Sequence, residues 1–274
     1  MRTQKEDRNF QHGIITGGSS GIGKATAILL AQAGVNISLI ARDRAKLELA
    51  QREIQAQTIN SEQKVKIFTA DVAQAESVEQ AINTAIATNG IPDLLITSAG
   101  IAIPGYFEQI PIATFEQTMQ VNYFGSLYAV RAVLPQMVAA GKGQLVLISS
   151  GAGLVGLFGY SAYSPSKFAL RGLAESLRGE LKPQGIKVAI VYPPDTDTPQ
   201  LVAENQTKPV ETRAITATAQ TWTAENVAKT IIQGIEKSKF TITPGLEMTI
   251  LNRCHSLISP WLQRYFDWLA HNKD

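Results

Sequence analysis

The sequence is poor in the residues that would point to disulfides or bound metal ions. Its 274 residues include a single cysteine, Cys254, which excludes an intrachain disulfide and suits a reducing compartment such as the cytoplasm. Three scattered histidines, His12, His255 and His271, show no spacing typical of metal ligands. We therefore expect neither a disulfide-stabilised secreted domain nor a metal centre.

Charge of one sign and long apolar runs are also lacking. The formal net charge is +2, which gives no reason to expect a nucleic-acid partner. Residues 1–9 are polar and charged, so we expect neither a signal peptide nor a membrane anchor there. No stretch reaches the roughly 20 apolar residues that a membrane-spanning helix needs. The hydrophobic content of 45% is nevertheless enough for a substantial core.

Short apolar runs alternate with helical patterns along most of the chain. This alternation is typical of an α/β protein with a parallel, doubly wound sheet, here of about seven strands. We predict a single domain at 1–245 with an amphipathic helical extension at 246–274. Ligands of such sheets bind beyond the carboxyl ends of the strands. The residues at those ends are Gly17, Ala41, Asp71, Ala99, Ser150 and Pro193.

A glycine-rich turn follows the first predicted strand and opens a helical pattern. Gly17, Gly21 and Gly23 are spaced as a variant of the dinucleotide-binding fingerprint, and Ser19 and Ser20 lie between them. Backbone N–H groups of such a turn can approach a phosphate at the helix N-terminus. A tight turn without a ligand is the simpler alternative.

The end of the second predicted strand bears on the choice of cofactor. An acidic residue at this place binds the ribose 2′-OH of NAD, whereas an arginine accommodates the 2′-phosphate of NADP. Ala41 stands where the acid is expected, and Arg42 comes next. We therefore expect NADPH, although a shifted register would make Asp43 a ribose ligand.

Tyr163 and Lys167 are four residues apart, which places both side chains on one face of a helix. A nearby ammonium favours the phenolate and would lower the tyrosine pKa. Ser150 ends the buried strand that precedes this helix, so it can face Tyr163. Such a trio could polarise a carbonyl group and protonate its oxygen. The pair alone is a weak signal, since a surface helix can carry both residues by chance.

Taken in order, these residues resemble the motifs of the short-chain dehydrogenase/reductase family over nearly the whole chain. The resemblance implies a Rossmann fold, a homodimer or homotetramer, and a catalytic tetrad of Asn122, Ser150, Tyr163 and Lys167. In the family, the tyrosine protonates the carbonyl oxygen, the serine hydrogen-bonds it, and the lysine binds the nicotinamide ribose and lowers the tyrosine pKa. The asparagine holds a water that feeds the lysine.

The resemblance also implies the cofactor and substrate residues. Asp71 is expected at the adenine and Thr198 at the carboxamide. The full set expected for the cofactor is Gly17, Ser19, Ser20, Gly21, Ile22, Gly23, Arg42, Asp71, Val72, Ala99, Gly100, Lys167, Pro193, Thr196 and Thr198. The set expected for the substrate is Ser150, Tyr163, Phe158, Asp195 and Leu201.

Four stretches resemble in particular those family members that reduce 3-ketodihydrosphingosine, a long-chain amino ketone. They are residues 16–24, 156–159, 192–199 and 205–213. We therefore expect a lipid-like ketone as substrate. The alternatives are a reductase of another apolar ketone, such as a steroid, a 3-oxoacyl chain or a xenobiotic, and a non-catalytic NADP-binding sensor.

Two segments near the C-terminus are expected to surround the substrate or reach a membrane. A long irregular stretch to about Thr221 follows Pro193, and its residues 195–213 are predicted to form a mobile lid. Its acids Asp195, Asp197, Glu204 and Glu211 could pair with a substrate ammonium. Ser259-Pro260 is predicted to start a helix with a broad aromatic surface. That surface could be buried in the substrate pocket, in a partner subunit, or at a membrane as a peripheral contact.

Overall fold

The computed structural model describes residues 10–217 and 220–271. The polar start at residues 1–9, which bears on the prediction of no signal peptide, lies outside the described residues. Residues 272–274 of the predicted extension also lie outside them.

Seven parallel strands form one sheet in the order β3-β2-β1-β4-β5-β6-β9, which confirms the predicted doubly wound architecture. A separate parallel pair joins two short strands, β7 and β8. The strands are β1 (His12–Thr16), β2 (Asn36–Ala41), β3 (Val65–Thr69), β4 (Leu94–Thr97), β5 (Gly143–Ile148), β6 (Ile186–Val191), β7 (Thr196–Asp197), β8 (Trp222–Thr223) and β9 (Thr241–Ile242).

Helices cover both faces of the sheet. They are α1 (Gly21–Gln32), α2 (Arg44–Gln55), α3 (Ala75–Asn89), α4 (Ile112–Met119), α5 (Gly125–Ala140), α6 (Tyr163–Leu181), α7 (Pro199–Thr207), α8 (Val210–Thr216), α9 (Ala224–Glu236) and α10 (Leu246–His271). A π-helical turn at Gln120–Phe124 joins α4 to α5.

The alternation of side chains along each strand explains the two apolar layers. In β1, Ile14 joins the core cluster that contains α3, α5 and α6, while Ile15 joins the cluster that contains α1, α2 and α9. Both side chains are fully buried. The sheet is therefore covered on both faces, and its strand ends are left as the place where a ligand can enter.

The segment after β6 is more regular than predicted. The prediction of an irregular stretch to about Thr221 was wrong, because α7 and α8 occupy much of it. Thr198 caps α7 by accepting a hydrogen bond from the Leu201 backbone N–H at 3.3 Å, and Pro199 takes the first helical position. This is a regular helix start.

The start of the last helix was also predicted wrongly. α10 begins at Leu246 and continues through Pro260, which lies in its interior. A proline there removes one backbone hydrogen bond, but the cap-like pair Ser259-Pro260 does not begin a new helix. Within the described residues, none of the helices is both long enough and apolar enough to cross a membrane.

Candidate active site

A cavity of about 940 Å³ opens at the carboxyl ends of the strands. Its floor combines the glycine turn after β1, the small residues Ala99 and Gly100 after β4, and Ser150 after β5. Tyr163 and Lys167 of α6 form one wall. Most predicted site residues line this cavity. They are Gly17, Ser19, Ser20, Gly21, Ile22, Arg42, Val72, Ala99, Gly100, Ser150, Tyr163, Lys167, Pro193, Asp195, Thr196, Thr198 and Leu201.

The glycine turn can hold a phosphate group close to the backbone. Gly17 and Gly21 adopt positive φ angles of 68° and 52°, which favour glycine. Ser20 occupies the N-cap of α1 without a side-chain cap hydrogen bond, and it lines the cavity. The first turn of α1 carries no acidic residue that would repel an anion. This cradle fits the diphosphate of a dinucleotide.

Gly23 lies beneath the turn and does not line the cavity. A Cβ at this position would lie 2.5 Å from the Gly17 carbonyl oxygen. We therefore expect Gly23→Ala to displace the turn, to lower the free energy of unfolding by about 1–3 kcal/mol, and to weaken dinucleotide binding. Urea unfolding and fluorescence titration with a reduced nicotinamide dinucleotide measure the two effects. Gly172→Ala is the matched control, because a Cβ there meets no atom within 4 Å. Equal behaviour of the two variants would contradict the prediction.

Arg42 and Asp43, the two residues that could select the cofactor, have different surroundings. The Asp43 carboxylate caps α2 by accepting a hydrogen bond from the Lys46 backbone N–H at 3.0 Å, and it lies 3.8 Å from the Lys46 ammonium. Arg42 is exposed on the cavity rim. Asp43 is thus engaged as a helix cap, and the guanidinium of Arg42 is left to meet a ligand.

Ser150, Tyr163 and Lys167 meet at the inner end of the cavity. The Lys167 ammonium lies 5.5 Å from the centroid of the Tyr163 ring and donates a hydrogen bond to the Ile148 carbonyl oxygen at 3.0 Å. The Ser150 hydroxyl accepts a hydrogen bond from the Ala152 backbone N–H at 3.1 Å, which fixes its position at the strand end. The sequence spacing therefore does bring the three side chains together.

The pKa of Tyr163 lies above its ordinary value, which is opposite to the expected direction. Burial disfavours the phenolate, and the nearby Glu204 carboxylate adds to this rise. Hydrogen bonds with the Ser150 and Gln200 side chains act in the other direction. Burial also lowers the pKa of Lys167 to about 8. Tyr163 consequently holds its proton at neutral pH, as a proton donor must.

Asn122 lies behind this group and is fully buried in the π-helical turn. Its amide exchanges two hydrogen bonds with the backbone of Ile101, at 2.8 and 3.0 Å, and donates a third to the Ser166 hydroxyl at 2.9 Å. These contacts tie the loop after β4 to α6. Asn122 itself does not line the cavity. Its hydrogen bonds hold Ile101, which does.

Besides Gly23, two further predicted ligand residues, Asp71 and Phe158, lie away from the cavity wall. The Asp71 carboxylate accepts a hydrogen bond from the Ala73 backbone N–H at 3.0 Å, and its neighbours Ala70 and Val72 line the cavity instead. Phe158 was predicted at the substrate but is 41% exposed. Its ring packs edge-on against Tyr106 with centroids 6.2 Å apart, and Leu157 faces the cavity in its place.

The structure adds Tyr160 and Gln200, which were not predicted in the site, beside Glu204, which was one of the four acids predicted to pair with a substrate ammonium. Tyr160, Gln200 and Glu204 form a hydrogen-bonded group on the wall next to Tyr163. The helical spacing of Gln200 and Glu204 could have placed them on one face had α7 been recognised. One face of α10 completes the apolar wall of the cavity. Its residues there include Met248, Leu251, Ile258, Leu262 and Phe266.

Comparisons with known proteins identify the family of the chain. Residues 11–209 match the family model described as short chain dehydrogenase. The chain belongs to the short-chain dehydrogenase family. It is therefore an oxidoreductase with a Rossmann-type sheet that binds a nicotinamide cofactor.

Curated relatives match this chain at high identity along most of its length. The chain is 46% identical over 242 residues to the 3-ketodihydrosphingosine reductase of Bos taurus, a match that covers 88% of this chain and 73% of the relative. It is 40% identical over 273 residues to the 3-ketodihydrosphingosine reductase of Dictyostelium discoideum, covering 94% and 82%. The crystal structure of a short-chain dehydrogenase from Streptomyces avermitilis is similar with a TM-score of 0.75 and 25% identity, covering 93% of this chain and 97% of that one.

Proposed function

We propose that the chain is an NADPH-dependent reductase that converts 3-ketodihydrosphingosine to dihydrosphingosine. The observation that carries this proposal is one cavity that joins the glycine turn, Tyr163 and the apolar wall from α10. A long-chain ketone needs such an apolar wall next to the proton donor. The names of the curated relatives support the same substrate.

Each of the four predicted catalytic residues would have its own role in the reduction. Bound NADPH supplies a hydride to the carbonyl carbon. Tyr163 donates its proton to the carbonyl oxygen, and Ser150 holds that oxygen by a hydrogen bond. Lys167 would bind the nicotinamide ribose. Asn122 would hold the backbone of this region and a water that feeds Lys167.

The position of Arg42 supports NADPH over NADH. We expect Arg42→Ala to raise the Kd for NADPH about tenfold, because the variant cannot make a charge-assisted hydrogen bond to the 2′-phosphate. The Kd for NADH should hardly change. Fluorescence titration with both cofactors measures the ratio. Arg44→Ala is the matched control, since Arg44 pairs with Glu48 at 2.9 Å and does not line the cavity. Equal use of NADPH and NADH by the unsubstituted protein would contradict the role of Arg42.

NADPH oxidation by the purified protein tests the proposed function. The panel is 3-ketodihydrosphingosine, a steroid ketone, a 3-oxoacyl thioester and a small xenobiotic ketone. The proposal requires the highest kcat/KM on 3-ketodihydrosphingosine. A higher value on another ketone would favour the alternative reductase, and the absence of oxidation with every ketone would favour the NADP-binding sensor.

Partners and location belong to the same proposal. We propose a homodimer or homotetramer, as the family resemblance implies, in the cytoplasm. A peripheral membrane contact is supported by the outward face of α10, where Leu257 and Trp261 are 79% and 71% exposed.

α7 and α8 lie over the cavity and would act as the lid, whose mobility stays a prediction.

A further inference from the structure

A buried carboxylate on the cavity wall has no role in the chemistry described so far. Glu204 lies on α7 and is only 7% exposed, yet it lines the cavity. Its carboxylate accepts hydrogen bonds from the Tyr160 hydroxyl at 2.7 Å and from the Gln200 amide at 2.8 Å. Both donors are neutral, so they orient the carboxylate without neutralising its charge. A buried carboxylate without an ion-pair partner is costly.

The other acids of this region are paired or lie off the cavity wall. Asp195 lies 3.5 Å from the ammonium of Lys208, a residue that is itself buried. Glu211 accepts a hydrogen bond from the Tyr106 hydroxyl at 2.9 Å and does not line the cavity. Asp197 is exposed and also lies off the cavity wall. Four acids were predicted as partners for a substrate ammonium. Among them, only Glu204 combines burial, a place on the cavity wall and the lack of an ion pair among the described residues.

Glu204 is also coupled to the proton donor. Gln200 makes hydrogen bonds to both Glu204 and Tyr163. The ring of Tyr160, whose hydroxyl bonds to Glu204, has its centroid 5.6 Å from that of Tyr163. The carboxylate is thus one hydrogen-bonded side chain away from the hydroxyl that meets the carbonyl oxygen. A basic group on the carbon next to the carbonyl would therefore face the part of the cavity wall that holds this carboxylate.

The charge of Glu204 affects its neighbours as an uncompensated anion does. It raises the pKa of Tyr163, and it raises the pKa of Lys167 against the larger effect of burial. Burial in turn raises the pKa of Glu204 itself, and the hydrogen bonds from Gln200 and Tyr160, together with the Lys208 ammonium, oppose that rise without cancelling it. A cation placed beside the carboxylate would compensate its unfavourable buried charge.

We infer that Glu204 binds the amino group beside the substrate carbonyl and so selects 2-amino-3-ketones over ketones that lack the amine. This inference rests on the proposed function, because the amino ketone is its substrate. The carboxylate accepts a hydrogen bond from the ammonium while Tyr163 meets the neighbouring carbonyl oxygen. Tyr160 and Gln200 hold the carboxylate in place for this contact.

Glu204→Gln tests the inference, because glutamine keeps the size of the side chain and removes its charge. The two substrates are 3-ketodihydrosphingosine and the matching long-chain 1-hydroxy-3-ketone without the amine. We expect kcat/KM on the amino ketone to fall about 10- to 100-fold, the value of a hydrogen bond to a charged group. Reduction of the ketone without the amine should fall much less than reduction of the amino ketone, and its persistence shows that the variant is folded. Glu236→Gln, which changes an exposed acid at the end of α9, is the matched control.

Equal losses on both ketones, or no loss on the amino ketone, would overturn the inference. A second measurement separates it from the proposed function. Tryptophan fluorescence reports the binding of dihydrosphingosine and of the matching 1,3-diol without the amine. Glu204-dependent preference for dihydrosphingosine in a protein that reduces neither ketone would support amine recognition and refute the proposed reduction. Reduction without any preference for the amine would support the proposed reduction and refute amine recognition.

Discussion

Tyr163→Phe is expected to lower kcat about 10²- to 10⁴-fold, because the variant lacks the hydroxyl that we propose as the general acid for the carbonyl oxygen. The phenol is well placed to act, since it bonds with Ser150 and its raised pKa keeps it protonated. The ring contacts with Tyr160 and Lys167 do not need the hydroxyl, so the fold should persist. NADPH oxidation with 3-ketodihydrosphingosine measures the loss, and fluorescence titration measures the Kd for NADPH.

Binding of NADPH should remain largely intact in this variant, because the glycine turn and Arg42 are unchanged. Tyr128→Phe is the matched control. Its hydroxyl accepts a hydrogen bond from Gln120 at 3.1 Å and lies away from the cavity. Turnover by Tyr163→Phe close to that of the control would refute Tyr163 as the acid. A parallel loss of NADPH binding would indicate instead that the hydroxyl supports the cofactor site.

The sequence predicts the sheet and the strand-end site well because both depend on local patterns. A buried parallel strand is a short apolar run, and the glycine turn needs its small residues where they stand. Tyr163 and Lys167 share a helix face by spacing alone. The start of α9 is equally local, because the Thr223 hydroxyl accepts a hydrogen bond from the Asn226 backbone N–H at 3.2 Å.

Other parts of the site depend on contacts between distant segments. Nothing local distinguishes Glu204 from the other acids of the same segment, because its place on the cavity wall is set by Tyr160 and by the cavity. The direction of the Tyr163 pKa shift depends on that same carboxylate and on burial, which the spacing of Tyr163 and Lys167 does not report. Phe158 and Leu157 are neighbours in sequence, and only the chain path decides which of them faces the cavity.

The last helix is the clearest case in which one pattern allowed several burials. The sequence left the aromatic surface of the C-terminal extension open to the substrate pocket, a partner subunit or a membrane. In the structure, one face of α10 lines the cavity with Leu262 and Phe266, whereas Leu257 and Trp261 point outward. The two faces can therefore be tested separately within the same helix.

Leu262→Ala combined with Phe266→Ala is expected to lower kcat/KM on 3-ketodihydrosphingosine roughly 30- to 150-fold. The two truncations remove apolar surface that would otherwise cover the lipid chain, and this surface is worth about 2–3 kcal/mol. A ketone with a short chain should be affected little, because it does not reach α10. Assays in detergent micelles with the two ketones measure this difference. Equal losses on both would show that the substitutions disturb the cavity as a whole rather than its packing against the chain.

The outward face supplies the matched variant, Leu257→Gln combined with Trp261→Gln. Both positions are exposed and neither lines the cavity, so reduction in micelles should be unchanged. Exposed tryptophan and leucine suit a membrane interface, and we expect this variant to lose co-sedimentation with phosphatidylcholine vesicles. The cavity variant should still sediment. Equal sedimentation of both variants and the unsubstituted chain, or sedimentation of none, would contradict a membrane contact through α10. A fall in the molecular mass of the outward-face variant in solution would assign that face to a partner subunit instead.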